Sequence, residues 1–254
     1  LRDSSRPNTA MFNIVIPARF GSTRLPGKAL LPIADKPMVA WVWERAMQAG
    51  AEHVVVASDD QRIVDEMTGR GAQVAMTRTD HASGTDRLAE VVDQLGWADD
   101  AIVVNLQGDE PLMPVANIQR VAAMLNETAG ADMATLMEPL AAADADQQSV
   151  VKVVASETGR ALYFSRSAIP SHREGGVLAP MFRHIGLYAY RAGFLKTFVG
   201  WPPAVAEQSE SLEQLRALAY DAHIQIELAP ETVPASVDTE SDLAAVRALL
   251  GAEQ

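Results

Sequence analysis

Short apolar runs separated by helix-patterned segments constrain this chain's fold most strongly. Phe12–Pro17, His53–Ser58 ("HVVVAS"), Ala72–Met76 and Ala101–Leu106 ("AIVVNL") have the length and residue types of buried strands. Between them, Pro37–Ala49 places Val39, Val42, Trp43 and Ala46 at helical spacing, with Pro37 near the first turn. Asp60–Thr68 and Ser83–Leu95 also read as helices. Strands that alternate with helices and are apolar on both faces predict a doubly wound, Rossmann-like α/β fold with a mostly parallel central sheet.

The second half changes character. Val150–Ala155, a Glu-Thr-Gly-Arg turn and Ala161–Arg166 read as a hairpin, and another strand is expected near His184–Tyr190. Glu207–Tyr220 reads as one amphipathic helix, Ile224–Ala229 as a strand and Glu240–Leu249 as a closing helix. "AAADADQQS" (residues 141–149) is the best candidate for a mobile surface segment. No repeat or linker interrupts the pattern. One domain is expected over residues 11–254, with a smaller strand-rich lobe roughly within residues 150–222. Residues 1–10 ("LRDSSRPNTA") read as a disordered leader before Met11.

A chain of 254 residues can bury a core without covalent staples. It has no cysteine, which excludes disulfides, thiolate nucleophiles and cysteine-ligated metal sites and fits a cytoplasmic location. A net charge of −12 argues against a nucleic-acid partner held by a broad basic surface. No apolar run approaches the roughly 20 residues that span a bilayer, so no membrane partner is expected.

Against that acidity, "IVIPARFGSTRLPGK" (residues 14–28) concentrates Arg19, Arg24 and Lys28 with no acid among them. In a parallel sheet, ligands bind beyond the carboxyl ends of the strands, where this loop leaves the first strand. Gly21 and Gly27 let backbone N–H groups approach an anion, and three cations suit a triphosphate. The loop is not a Walker motif: five residues separate Gly21 from Gly27, and Ala29 follows Lys28. A basic Gly/Pro loop can equally be a solvated surface turn.

"LQGDEP" (residues 106–111) opens into the same crevice. Asp109, with Glu110 as an alternative, can hold Mg²⁺, or the segment can be an ordinary turn. Asp238 in "VPASVDTESDL" (residues 233–243) is a second candidate ligand, although Asp238 or Thr239 can instead cap the last helix. Arg78, His81 and Ser83 follow the third strand and can contact a base, ribose or phosphates, or the segment is a loop with Ser83 or Thr85 starting the helix. Arg166 can hold an anionic second substrate. His184 gains interest from Arg183 and Tyr188, and on pattern alone Glu213 and Gln214 belong to a solvated helix face.

Together the pieces are more specific. "IPARFGSTRLPGKAL", "MTRTDHASGTDRLAEVV", "VNLQGDEPLMP", "ALYFSRSAIP", "FRHIGLYAYRAGFL", "LEQLRAL" and "VDTESDL" occur in this order. In order and spacing the chain resembles the bacterial 3-deoxy-manno-octulosonate (Kdo) cytidylyltransferases, or CMP-Kdo synthetases, over nearly all of residues 11–250. The resemblance implies a nucleotidyltransferase fold and CMP transfer from CTP to Kdo, in lipopolysaccharide assembly, by a homodimer. It implies that Arg19 and Lys28 hold the CTP phosphates, with Arg24 assisting. Pro17, Ala18, Arg78 and Ser83 then help recognise cytidine, and Asp109 and Asp238 ligate Mg²⁺. Gln107, Arg166, His184, Tyr188, Glu213 and Gln214 surround Kdo, with Gln107 also on the CTP side. The chain departs from the family's pattern at Asp86, where Glu is expected, and in "QQSVVKVV", which leaves the role of Lys152 open.

Overall fold

The computed structural model describes residues 11–21, 25–171, 173–174, 179–234 and 236–251. The leader expected at residues 1–10 lies outside the described residues, as does Arg24.

The first half follows the expected alternation: β1 (Asn13–Pro17), a short hairpin of β2 (Pro32–Ile33) and β3 (Lys36–Pro37), α1 (Met38–Gln48) and β4 (His53–Ser58). It continues with α2 (Gln61–Gly69), β5 (Gln73–Met76), α3 (Gly84–Leu95), β6 (Ile102–Asn105), α4 (Val115–Glu127) and β7 (Met133–Pro139). Then come β8 (Lys152–Ala155), β9 (Ala161–Ser165), β10 (Phe182–Arg191), α5 (Ala192–Val199), α6 (Val205–Glu210), α7 (Gln214–Ala219), β11 (Ile224–Leu228) and α8 (Glu240–Gly251). The helix α4, the strand β7 and the helix α5 carry no expectation from the sequence.

The central sheet runs β11-β7-β10-β6-β1-β4-β5. β1 pairs parallel with both β4 and β6, and β10 runs antiparallel between β6 and β7. The β8–β9 hairpin forms as expected, with Val153 opposite Phe164, and joins the main sheet through Phe182 and Arg183 of β10. The two-residue period of β1 explains the double winding. Ile14 and Ile16 face Val39, Val42, Ile63, Ile118 and Val121 on one side, whereas Val15 faces Leu88, Val91, Leu195 and Leu215 on the other.

The expected single helix over Glu207–Tyr220 is two. Ser211 caps α6 with φ +52, a left-handed conformation that ends the helix, and α7 begins only at Gln214. Glu207 reaches across this break to pair with Arg216, both nearly buried. Lys152 is fully buried, its Nζ donating to the carbonyls of Gln147 (2.9 Å), Val150 (2.8 Å) and Arg166. It therefore pins the end of the acidic 141–149 segment to the hairpin. Leu25, Ile33 and Met38 pack with Val237, Leu243, Val246 and Leu250, which sets α8 against the segment after the basic loop.

Candidate active site

β1 and β6 end side by side, so the loops after them face one crevice. Gly108 permits their close approach: a Cβ there would stand 2.9 Å from the Pro17 carbonyl oxygen. The resulting cavity of about 260 Å³ is lined by Pro17, Ala18, Arg19, Lys28, Ser83, Gln107, Asp109 and Asp238, among others.

Lys28 Nζ donates to Asp109 Oδ2 at 2.7 Å and to Asp238 Oδ1 at 3.2 Å. Two observations explain how Asp238 arrives there. The Val237 N–H donates to the Asp109 carbonyl at 3.0 Å, and Val237 is wholly buried in the cluster under α8. The capping expected of Asp238 or Thr239 falls to Thr239. Its hydroxyl accepts from the Asp242 N–H at 3.3 Å, while the Asp242 carboxylate accepts from the Asp238 and Thr239 N–H groups. Glu110 hydrogen-bonds Ser236, and burial first, then the negative charge of Asp109, pushes its pKa up to about 8.

The basic loop is braced from outside. Gly27 adopts φ +68, and its N–H donates to the Phe20 carbonyl at 3.2 Å. The Phe20 ring lies against Gly27 and under the Arg62 guanidinium, whose carbon is 3.4 Å from the ring centroid. Asp60 grips that guanidinium through both oxygens, at 2.9 and 2.6 Å.

Ser83 caps α3 in a reciprocal capping box with Asp86, so the Asp at the departing position supplies the carboxylate the cap requires. Arg87, one turn further on, also lines the cavity; it is buried, pairs with Asp59 at 2.8 Å and hydrogen-bonds Thr77. His81 lines the cavity too and is paired with Glu90. The side chain of Arg78 is elsewhere: it is 69% exposed and paired with Asp80.

A second, smaller cavity of about 70 Å³ shares Gln107 with the first and is lined by Tyr188, Glu213 and Gln214, together with Thr85, Asn105 and Tyr190. Glu213 and Gln214 thus face a cavity, not a solvated helix surface, because the break at Ser211 turns the start of α7 inward. Burial raises the Glu213 pKa, opposed by hydrogen bonds from Thr85 and Ser83. His184 stands behind Tyr188, at 5.2 Å between ring centroids, with its Nε2 3.0 Å from Thr135 Oγ1. Burial drives its pKa down to about 3, so the ring is neutral.

Arg166 is not with these residues. Its Nε donates to the Glu210 carbonyl (2.7 Å), and its two terminal nitrogens donate to the carbonyls of Gln148 (2.9 Å) and Ser211 (3.2 Å). It ties β9 to the α6–α7 break.

Arg87, Asn105 and Tyr190 line these cavities without having been singled out from the sequence, and Thr85 was expected only as an alternative helix start. Signals were available: Arg87 is four residues from Ser83 on one helix face, Tyr190 is two from Tyr188 on one strand face, and Asn105 interrupts an apolar strand.

The cytidylyltransferase family model matches residues 13–226. A 3-deoxy-manno-octulosonate cytidylyltransferase of Pseudomonas fluorescens is 53% identical over 253 residues, covering 96% of this chain and all of the relative. That of Vibrio vulnificus is 52% identical, covering 95% of this chain and 99% of the relative. A solved CMP:2-keto-3-deoxy-manno-octonic acid synthetase in complex with CTP superposes with a TM-score of 0.91 at 43% identity, covering 96% of this chain and all of that one. A cytidylyltransferase from Leptospira borgpetersenii, at 16% identity and a TM-score of 0.61, shares the fold. The chain therefore belongs to the cytidylyltransferase family and, within it, to the 3-deoxy-manno-octulosonate cytidylyltransferases.

Proposed function

We propose that this protein transfers CMP from CTP to Kdo with release of pyrophosphate, supplying CMP-Kdo for lipopolysaccharide assembly in the cytoplasm. The observation that carries the reading is the meeting of Lys28, Asp109 and Asp238 in a cavity that shares Gln107 with the Tyr188–Glu213 cavity.

The anomeric hydroxyl of Kdo attacks the α-phosphorus in line, and pyrophosphate leaves. The protein's work is to position the reactants and offset charge. Lys28 and Arg19 face the triphosphate, while Pro17, Ala18 and Ser83 wall the cytidine side. The N-terminus of α3 adds its partial positive charge. Gln107 sits between the two substrates, and Tyr188, Glu213 and Gln214 offer hydrogen-bonding groups to the sugar acid. Neutral His184 backs Tyr188 and holds its ring in place.

Asp109 and Asp238 fit a hard divalent cation such as Mg²⁺, because two carboxylates from distant segments already converge on a single positive centre. No group of three or more acidic or histidine side chains arranged for a metal occurs among the described residues, so Asp109 and Asp238 are the side chains that would hold the cation. Mg²⁺ bound there supplies polarisation of the phosphates.

No helix among the described residues is long and apolar enough to cross a membrane. Among the described residues β9 pairs within its sheet only with β8 and exposes Leu162 and Tyr163, and this supports a homodimer formed through the later lobe. The test of the function is pyrophosphate release with CTP, Kdo and Mg²⁺, each omitted in turn, and with sialate replacing Kdo. Release that needs all three and fails with sialate supports the reading. CTP binding without release would favour a nucleotide-binding regulator on the same scaffold.

A further inference from the structure

A buried hydroxyl joins the start of the nucleotide-facing helix to the start of the sugar-facing one. Thr85, on the first turn of α3, is only 3% exposed. Its Oγ1 donates to Glu213 Oε2 at 2.5 Å, linking segments 128 residues apart. Ser83, which lines the larger cavity, also hydrogen-bonds the Glu213 carboxylate. The Tyr190 hydroxyl meets Thr85 and Asn105. Thr85, Asn105, Tyr190 and Glu213 all line the smaller cavity.

An ionised carboxylate has about four acceptor directions and no donor. Held by Thr85 and Ser83, Glu213 keeps acceptor capacity towards the cavity it lines, where a polyhydroxylated acid would present O–H donors. A buried carboxylate without such hydroxyl partners is costly to keep charged and takes up a proton instead.

We infer that Thr85 is a positioning residue that orients Glu213 for the acceptor's hydroxyl groups and sets affinity for Kdo apart from affinity for CTP. This inference rests on the proposed transfer of CMP to Kdo. Among the described residues Glu213 is faced by Ser83, the N-cap of α3, by Thr85 and Asp86 on α3, by Tyr188 and Tyr190 on β10, and by Arg216 on α7, whose N-terminus Glu213 caps. Arg216 stands 4.0 Å from Glu213 Oε1 and is already paired with Glu207. Thr85 is therefore the closest neutral donor that holds the carboxylate, and its loss moves Glu213 further towards the protonated state.

The test is steady-state kinetics of wild type, Thr85→Val and Thr85→Ser, varying CTP and Kdo separately across pH. Thr85→Val should raise the KM for Kdo by about tenfold or more, the loss expected for one hydrogen bond to a charged group. The KM for CTP should stay within about twofold, below the cost of one such bond. The acid limb of kcat/KM for Kdo should move to higher pH in Thr85→Val, and Thr85→Ser should restore both properties. If Thr85→Val does not fold, Thr85→Ala removes the same hydroxyl with the same expected split. Equal changes in both KM values, no change in either, or failure of Thr85→Ser to restore them would overturn the inference. When wild type turns over Kdo, such a result counts against Thr85 alone; absence of wild-type turnover overturns the functional reading itself.

Discussion

Lys28 Nζ lies 2.7 Å from Asp109 Oδ2, and the same ammonium reaches Asp238 at 3.2 Å. One cation thus holds two carboxylates that the chain separates by many residues, and it does so where phosphates and metal are expected to meet. The positive loop of an acidic protein and its acidic site are parts of one constellation.

Replacing Lys28 by Ala should lower the rate at saturating CTP and Kdo by roughly 10²–10³-fold, the usual cost of one transition-state contact of this kind. The Mg²⁺ concentration for half-maximal rate should not rise, because the two carboxylates then lose a competing ammonium. A pyrophosphate-release assay titrated with Mg²⁺ reads both quantities.

Asp109→Asn and Asp238→Asn should each abolish Mg²⁺-dependent turnover while the fold persists. Both carboxylates are partly exposed, so neutralising them removes little that holds the core. Thermal melting beside the activity assay separates the two effects.

The clamp of Asp60, Arg62 and Phe20 braces the basic loop from outside the cavity. Arg62→Ala should raise the KM for CTP about two- to fivefold, equivalent to the ~0.5–1 kcal/mol of an exposed cation–π contact. The KM for Kdo should be unaffected, and kinetics with each substrate varied in turn show whether the effect is confined to the nucleotide.

Gly108→Ala should weaken CTP binding. The added carbon would stand 2.9 Å from the Pro17 carbonyl oxygen, so the loops after β1 and β6 must separate. Isothermal titration with CTP measures this loss directly.

His184 gives a pH signature with a definite sign. Its folded pKa of about 3 lies below the ordinary value of 6.5, so the unfolded chain binds a proton that the native state refuses. Its contribution is complete above pH 6.5 and is lost as pH falls towards 3. Glu110 has the opposite sign: raised from 4.5 to about 8, it contributes stability that is lost as pH rises through that window. Denaturant melts of His184→Gln between pH 4 and 7 should show a shallower decline on the acid side than wild type.

What the sequence made legible was local. Ile14, Val15 and Ile16 announce a strand buried on both faces, and the basic loop, "LQGDEP" and "VDTESDL" each mark a place where chemistry is possible. The convergence was not legible from the residues alone. Asp238 reaches Lys28 only because Val237 and α8 pack on the segment after the loop, a contact no local pattern encodes. The Glu207–Tyr220 stretch keeps helical spacing throughout, yet Ser211 at φ +52 breaks it and turns Glu213 inward. Arg166 matched a motif, but its guanidinium nitrogens are used by main-chain carbonyls, a fact that depends on where α6 ends.

The most direct measurement is phosphorus NMR of the purified protein with CTP, Mg²⁺ and Kdo carrying ¹⁸O at its anomeric hydroxyl. The CTP signals should give way to pyrophosphate and one phosphodiester in equal amounts. The phosphodiester resonance should carry the isotope shift of a bridging ¹⁸O, and Asp238→Asn should leave CTP intact. Conversion of CTP to free CMP without a phosphodiester, or a product whose bridge lacks the label, would contradict it.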